Sequence, residues 1–131
     1  MRHTSLTKTT LILLLAAILI LFTSCQSIPK DVPEDLTEAD LIQLAQDSYE
    51  EGNIKAAEFY YETIIERFAD NQSACIIAQF EIAHIRIKEG NFKDARPLLE
   101  DIIESFDENP ELAYMIPEYL KLARLDLAKC E

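Results

Sequence analysis

The residues of this 131-residue chain best equipped for chemistry are two histidines, three cysteines and a few adjacent acidic pairs. His3 precedes a long apolar run, which leaves His84 as the one histidine of the remainder. A lone His without a neighbouring Cys cannot assemble a metal site, and neither H-E-x-x-H nor C-x-x-C spacing occurs. No Gly-rich phosphate loop is present, and no Ser is spaced to suggest a nucleophile–base pair. His84 therefore reads as a packing or groove residue. Glu50-Glu51 and Glu100-Asp101 could serve acid–base work in principle, but such pairs are usually solvated helix faces. The expectation is a protein that is not an enzyme and holds no metal or dissociable cofactor.

Cys25 is different, because of what precedes it. Arg2, His3 and Lys8 form a basic start, and Leu11 to Phe22 is an unbroken apolar run. Twelve helical residues reach about 18 Å, well short of a bilayer core of roughly 30 Å, but they fit the core of an export signal. Leu21-Phe22-Thr23-Ser24-Cys25 resembles the lipobox of bacterial lipoproteins, with Phe22 departing from the usual Leu. The resemblance implies that residues 1–24 are removed, that the Cys25 thiol carries diacylglycerol, and that the new amino end is acylated. A secretory signal cut nearby, or an uncleaved anchor, is the alternative. In the enteric sorting scheme Gln26 favours the outer membrane over the inner one. The implied location is the cell envelope, lipid-anchored and facing away from the cytoplasm, on the periplasmic face of the outer membrane. Residues 25–36, with Pro29 and Pro33, read as an extended tether lifting the domain off the bilayer.

The chain beyond residue 24 carries ten of the 12 Lys and Arg and all 24 Asp and Glu, a net of −14, and its helical domain is read as 37–131. That argues against nucleic acid and anionic lipid heads as partners. Only two Gly and no Trp, with abundant Ala, Leu, Ile and Glu, lean helical.

Comparing the chain with itself shows the organisation. Residues 51–71 and 89–109 align without a gap at a shift of 38; Glu51-Gly52-Asn53 matches Glu89-Gly90-Asn91, and Ile64-Ile65-Glu66 matches Ile102-Ile103-Glu104. Each unit reads as two helices joined at the Gly-Asn pair, where Gly accepts a left-handed backbone and Asn caps the next helix. Thr37-x-x-Asp40 reads as a capping box, and Pro110 as the first residue of a last helix.

The pattern resembles the tetratricopeptide repeat (TPR), with hallmark positions at Leu44, Ala45, Gly52, Ala57 and Tyr61, then Ile82, Ala83, Gly90, Ala95 and Leu99. Leu41 and Gln79 stand where Trp is common, the unit is longer than usual, and Pro97 interrupts the second unit's later helix. The resemblance implies an all-α, right-handed α-solenoid of TPR-type helix-turn-helix units. The two repeats span about 39–72 and 77–109, with a capping helix over about 110–130. Successive first helices would run parallel, holding Cys75 and Cys130 roughly 25 Å apart as free thiols. In such arrays the concave face comes from first-helix positions, here Ile42, Gln46, Tyr49, Glu50, Ile77, Phe80, His84, Ile87 and Lys88. This groove is either open to a helix or extended peptide, or covered by the tether or the last helix. The last helix is apolar around much of its girth, and two repeats fall short of the usual three, which favours association with a partner or a second copy. The implied function is a membrane-anchored adaptor for protein partners; the alternative is a small-ligand-binding accessory of a periplasmic transport system.

Overall fold

The computed structural model describes residues 27–131, so the export segment and Cys25 lie outside it. Six helices follow in order: α1 (Glu38–Glu50), α2 (Ile54–Arg67), α3 (Gln72–Lys88), α4 (Phe92–Glu108), the single turn α5 (Leu112–Met115) and α6 (Pro117–Leu127). A 3-10 turn, Ala128–Cys130, ends the chain, and the described residues contain no strand. The packing is the expected all-α arrangement of adjacent antiparallel pairs.

Local chemistry sets the helix ends. At α1 the capping box closes both ways: the Thr37 N–H donates to Asp40 Oδ2 at 2.9 Å, and the Asp40 N–H donates to Thr37 Oγ1 at 3.3 Å. Gly52 and Gly90 hold φ of +78° and +77°, the left-handed region that a side chain penalises. Beyond each glycine the chain bonds back across six residues, Asn53 N–H to Ser48 O and Asn91 N–H to Arg86 O, both at 2.8 Å. The two turns differ in one respect. Asn53 caps α2 through the Ala56 N–H, whereas the Asn91 side chain turns to Asp94 and leaves α4 without that cap.

Two apolar clusters form the core, and α3 belongs to both. Ala74, Ala78, Ile82 and Ile85 face Leu41, Ala45, Ala57, Tyr61 and Ile64. Ile76, Phe80, Ala83 and Ile87 face Ala95, Leu99, Ile102 and Phe106, together with Leu112, Ile116 and Ala123 from the last segment. A helix with apolar residues on two sides must be covered on both, and α3 is. Among the hallmark positions Leu44 is only half-buried, and Leu41 takes the sealed site in α1. Helix α4 runs unbroken through Pro97, whose side chain is exposed.

The last segment is not the single helix expected over 110–130. Ile116 leaves the helical region (φ −139°, ψ +55°), and Pro117 opens α6 at its first turn. Proline crowds the residue before it out of the α conformation and lacks an N–H that a first turn does not need, so Pro117, not Pro110, sets the start.

The tether also differs from expectation. Residues 27–36 lie against the first repeat rather than free of it. Asn53 Nδ2 donates to the Ser27 carbonyl at 3.0 Å, and the Arg67 guanidinium donates to the carbonyls of Val32 and Pro33 at 2.7 and 2.6 Å. Val32 and Leu36 pack on the first cluster. From Asn53 to Arg67 is about 20 Å of helix, and Ser27 to Pro33 spans about the same when extended, so the segment straps α2 end to end.

Candidate functional site

First-helix residues spaced three and four apart share a face. On α1 these are Gln46, Tyr49 and Glu50; on α3 they are Glu81, His84, Ile85 and Lys88. The two faces, with Tyr61 of α2, line a cleft of about 470 Å³ between the repeats. Five of the nine groove residues read from the sequence meet here: Gln46, Tyr49, Glu50, His84 and Lys88. The other four pack elsewhere. Phe80 and Ile87 are buried in the second cluster with Ile77 packed against it, and Ile42 packs on the first. Helix α6 takes the concave face of the second repeat and leaves the junction between repeats open.

What holds α6 there is polar as well as apolar. Phe80 meets Tyr119 edge-on at 5.4 Å and stacks on His84 at 5.5 Å. His84 Nδ1 pairs with Asp126 Oδ2 at 2.5 Å, and Lys129 Nζ donates to Asp126 Oδ1 at 2.6 Å. Asp126 is 3% exposed, so these partners are what make its charge tolerable. Burial pushes its carboxyl up, but the hydrogen bonds from Lys129 and His84 outweigh burial and hold it below the ordinary range. Arg96 completes the seam by donating to the Cys130 carbonyl. His84 is thus a clasp between α3 and α6 that also borders the cleft.

Tyr61, Glu81 and Ile85 also line the cleft and are not among the nine groove residues. Tyr61 is a hallmark position of the repeat; its body is buried in the first cluster while it also lines the cleft, as an amphipathic ring can. Glu81 follows Phe80 as a single acid in an apolar helix, and its one signal was the face it shares with His84 and Lys88. Burial raises the Glu81 carboxyl above its usual range, only partly countered by His84 and Lys88. Burial likewise drives the Tyr61 phenol far above its ordinary value, so it stays a neutral hydroxyl at any physiological pH. Lys88 Nζ lies 5.9 Å from the Tyr49 ring centre. The cleft therefore offers an amide, two phenols, an ammonium and two carboxylates around an aromatic floor. Such a set can both donate and accept hydrogen bonds beside aromatic surface.

The two unusual carboxyls have opposite pH dependence. Glu81 binds its proton more tightly folded than unfolded, so its ionisation removes stability as pH rises from about 4.5 through the raised value. Asp126 contributes above 3.8, and that contribution is lost as pH falls through its lowered value. Replacing Glu81 by Gln is expected to raise the melting temperature at neutral pH and to flatten the decline above pH 4.5. Melting followed by circular dichroism from roughly pH 3 to 7 reads both slopes. A Gln variant less stable than the parent at pH 7 would contradict it.

Cys75 and Cys130 are free thiols on different helices. The Cys75 thiol donates to the Phe68 carbonyl at 3.5 Å, and burial raises it. Among the described residues no cluster of three or more potential metal ligands occurs, and no helix is long and apolar enough to cross a membrane.

Residues 48–116, just over half of the chain, match the family profile described as tetratricopeptide repeat. A stretch of 67 residues, 50% of this chain, is 54% identical to an uncharacterized protein of Treponema pallidum (strain Nichols). The match covers 27% of that protein, so the chain spans about a quarter of that relative's length. No solved structure matches the chain.

Proposed function

The chain belongs to the tetratricopeptide repeat family, and from that premise we propose that it is a lipid-anchored adaptor of the bacterial cell envelope. Repeats of this family commonly bind protein partners and generally act as non-enzymatic scaffolds. The observation that carries the proposal here is the cleft between the repeats. It draws Gln46, Tyr49 and Glu50 from one unit and Glu81, His84 and Lys88 from the other. A chain segment laid across it would meet donors and acceptors on both walls and aromatic surface on its floor. Acylation of Cys25, export and a site on the periplasmic face of the outer membrane complete the proposal, supported by the basic start, the apolar run and the lipobox-like residues.

A photo-crosslinking amino acid placed at Gln46 or Lys88 of the full chain, in cells, tests the cleft. The expected result is a discrete protein adduct that is lost with Tyr49→Ala. Adducts of equal yield from Glu104, on the exposed side of α4, would count against it. Metabolic labelling with a fatty acid, abolished by Cys25→Ser, tests the anchor separately.

A further inference from the structure

We infer that the end of the array carrying the two Gly-Asn turns is its membrane-facing surface, with an acidic far end pointing away from the bilayer. This rests on the proposed acylation of Cys25 and goes beyond it by assigning the surface that meets the lipid.

The first support is the strap. Both turns lie at one end of the array, since Arg86 beside the second pairs with Glu58 beside the first at 2.8 Å. The end of the last segment joins them through the Arg96 to Cys130 hydrogen bond. Ser27 is held at that same end by Asn53. Cys25 precedes Ser27 by two positions, a reach of about 7 Å. A free tether would let the domain roll; a strap bonded at Asn53 and Arg67 delivers the anchor to one end.

The second support is charge. At the turn end, residues 48–58, 86–96 and 126–131 carry six bases against seven acids. At the far end, joined by hydrogen bonds from Asn71 to Glu38 and from Asn109 to Gln72, the balance is very different. Residues 31–40 and 104–118 hold five acids each and no base, and 62–73 add three acids and Arg67. The net charge is thus about −1 at one end and −12 at the other, from those same stretches. Repulsion from an anionic lipid surface fades within about 8 Å in physiological salt, so the end held close must be the nearly neutral one. The overall negative charge that argues against lipid contact is concentrated where contact does not occur.

The third support is what the turn end exposes. Phe92, the first residue of α4, is 42% exposed, and Ile28, next to Ser27, is 51% exposed. Lys55 and Lys93 flank the same turns. Tyr114 and Met115 are exposed at the far end as well, but among acids with no base; apolar side chains beside lysines are what suit the boundary between headgroups and acyl chains.

The chain contains no Trp, so a single introduced Trp is a clean reporter. Full-length Phe92→Trp, Ile28→Trp and Glu108→Trp variants, purified from bacterial membranes, would be reconstituted into vesicles of brominated phosphatidylcholine with phosphatidylglycerol. The mass of the N-terminal peptide records whether Cys25 carries acyl chains. The expected result is an acylated protein in which Trp at 92 or 28 loses about half its emission or more, while Trp at 108 is unaffected. Circular dichroism of each variant confirms its fold, and either turn-end probe suffices. Equal quenching at both ends, quenching at 108 alone, or no quenching in an acylated protein overturns the assignment and leaves the anchor standing. A Cys25 without acyl chains overturns both.

Discussion

Replacing Phe80 by Ala is expected to destabilise the protein by about 3–5 kcal/mol, the usual range for deleting a buried aromatic ring. Phe80 is 4% exposed and sits where α3, His84 and Tyr119 of α6 converge. Removing it takes away the stacking surface of His84 and the edge contact of Tyr119 together, so α6 should loosen more than the rest. Whole small domains are stable by only about 5–15 kcal/mol, so the loss is a large fraction of the total. A chemical denaturation midpoint moved by an amount equivalent to less than about 1 kcal/mol would show that α6 does not cover this face. Limited proteolysis adds location: cleavage should begin after Lys121 or Arg124, both exposed on α6. The same substitution separates an open groove from a covered one, because a ring reaching a partner from an open face would cost affinity and little stability.

Leu99→Ala carries the second large effect, about 2–5 kcal/mol. Leu99 is fully buried between α3 and α4, in the place that Tyr61 occupies one repeat earlier. Its loss leaves a cavity beside Ala83 and Ala95, whose small side chains let the two helices approach and cannot extend to fill it. The midpoint of urea unfolding should fall with an unchanged slope. A cost near that of a surface substitution would mean the second repeat packs differently from the first.

The repeat was legible because it is written twice. The match at a shift of 38 aligned Gly52 with Gly90 and Tyr61 with Leu99, and backbone geometry then left little choice at the two glycines. What covers an apolar face was not legible, since periodicity marks a face as apolar and is silent about its occupant. Phe80, Ile77 and Ile87 have the same pattern whether they meet a partner or α6. Pro110 and Pro117 both satisfy the rule for a helix start, and only the crowding at Ile116 shows which one opens α6. The strap was hidden for another reason. Arg67 and Asn53 hold it by main-chain carbonyls, which every residue possesses, and the two apolar side chains that pack, Val32 and Leu36, are too few to advertise the contact. Glu81 escaped notice because a single acid on a helix is ordinary until burial is known.

Helix α3 lies in both apolar clusters, and that has a kinetic consequence. A chain of independent units can open one at a time from either end, each at its own free energy. Here neither unit can part from α3 without stripping a wall from the other, so partial opening is confined to the strap and the last segment. Amide hydrogens in the middle of α3 should exchange with solvent only through global unfolding, at rates shared with the central turns of α2 and α4. The two repeats would then open and close as one event.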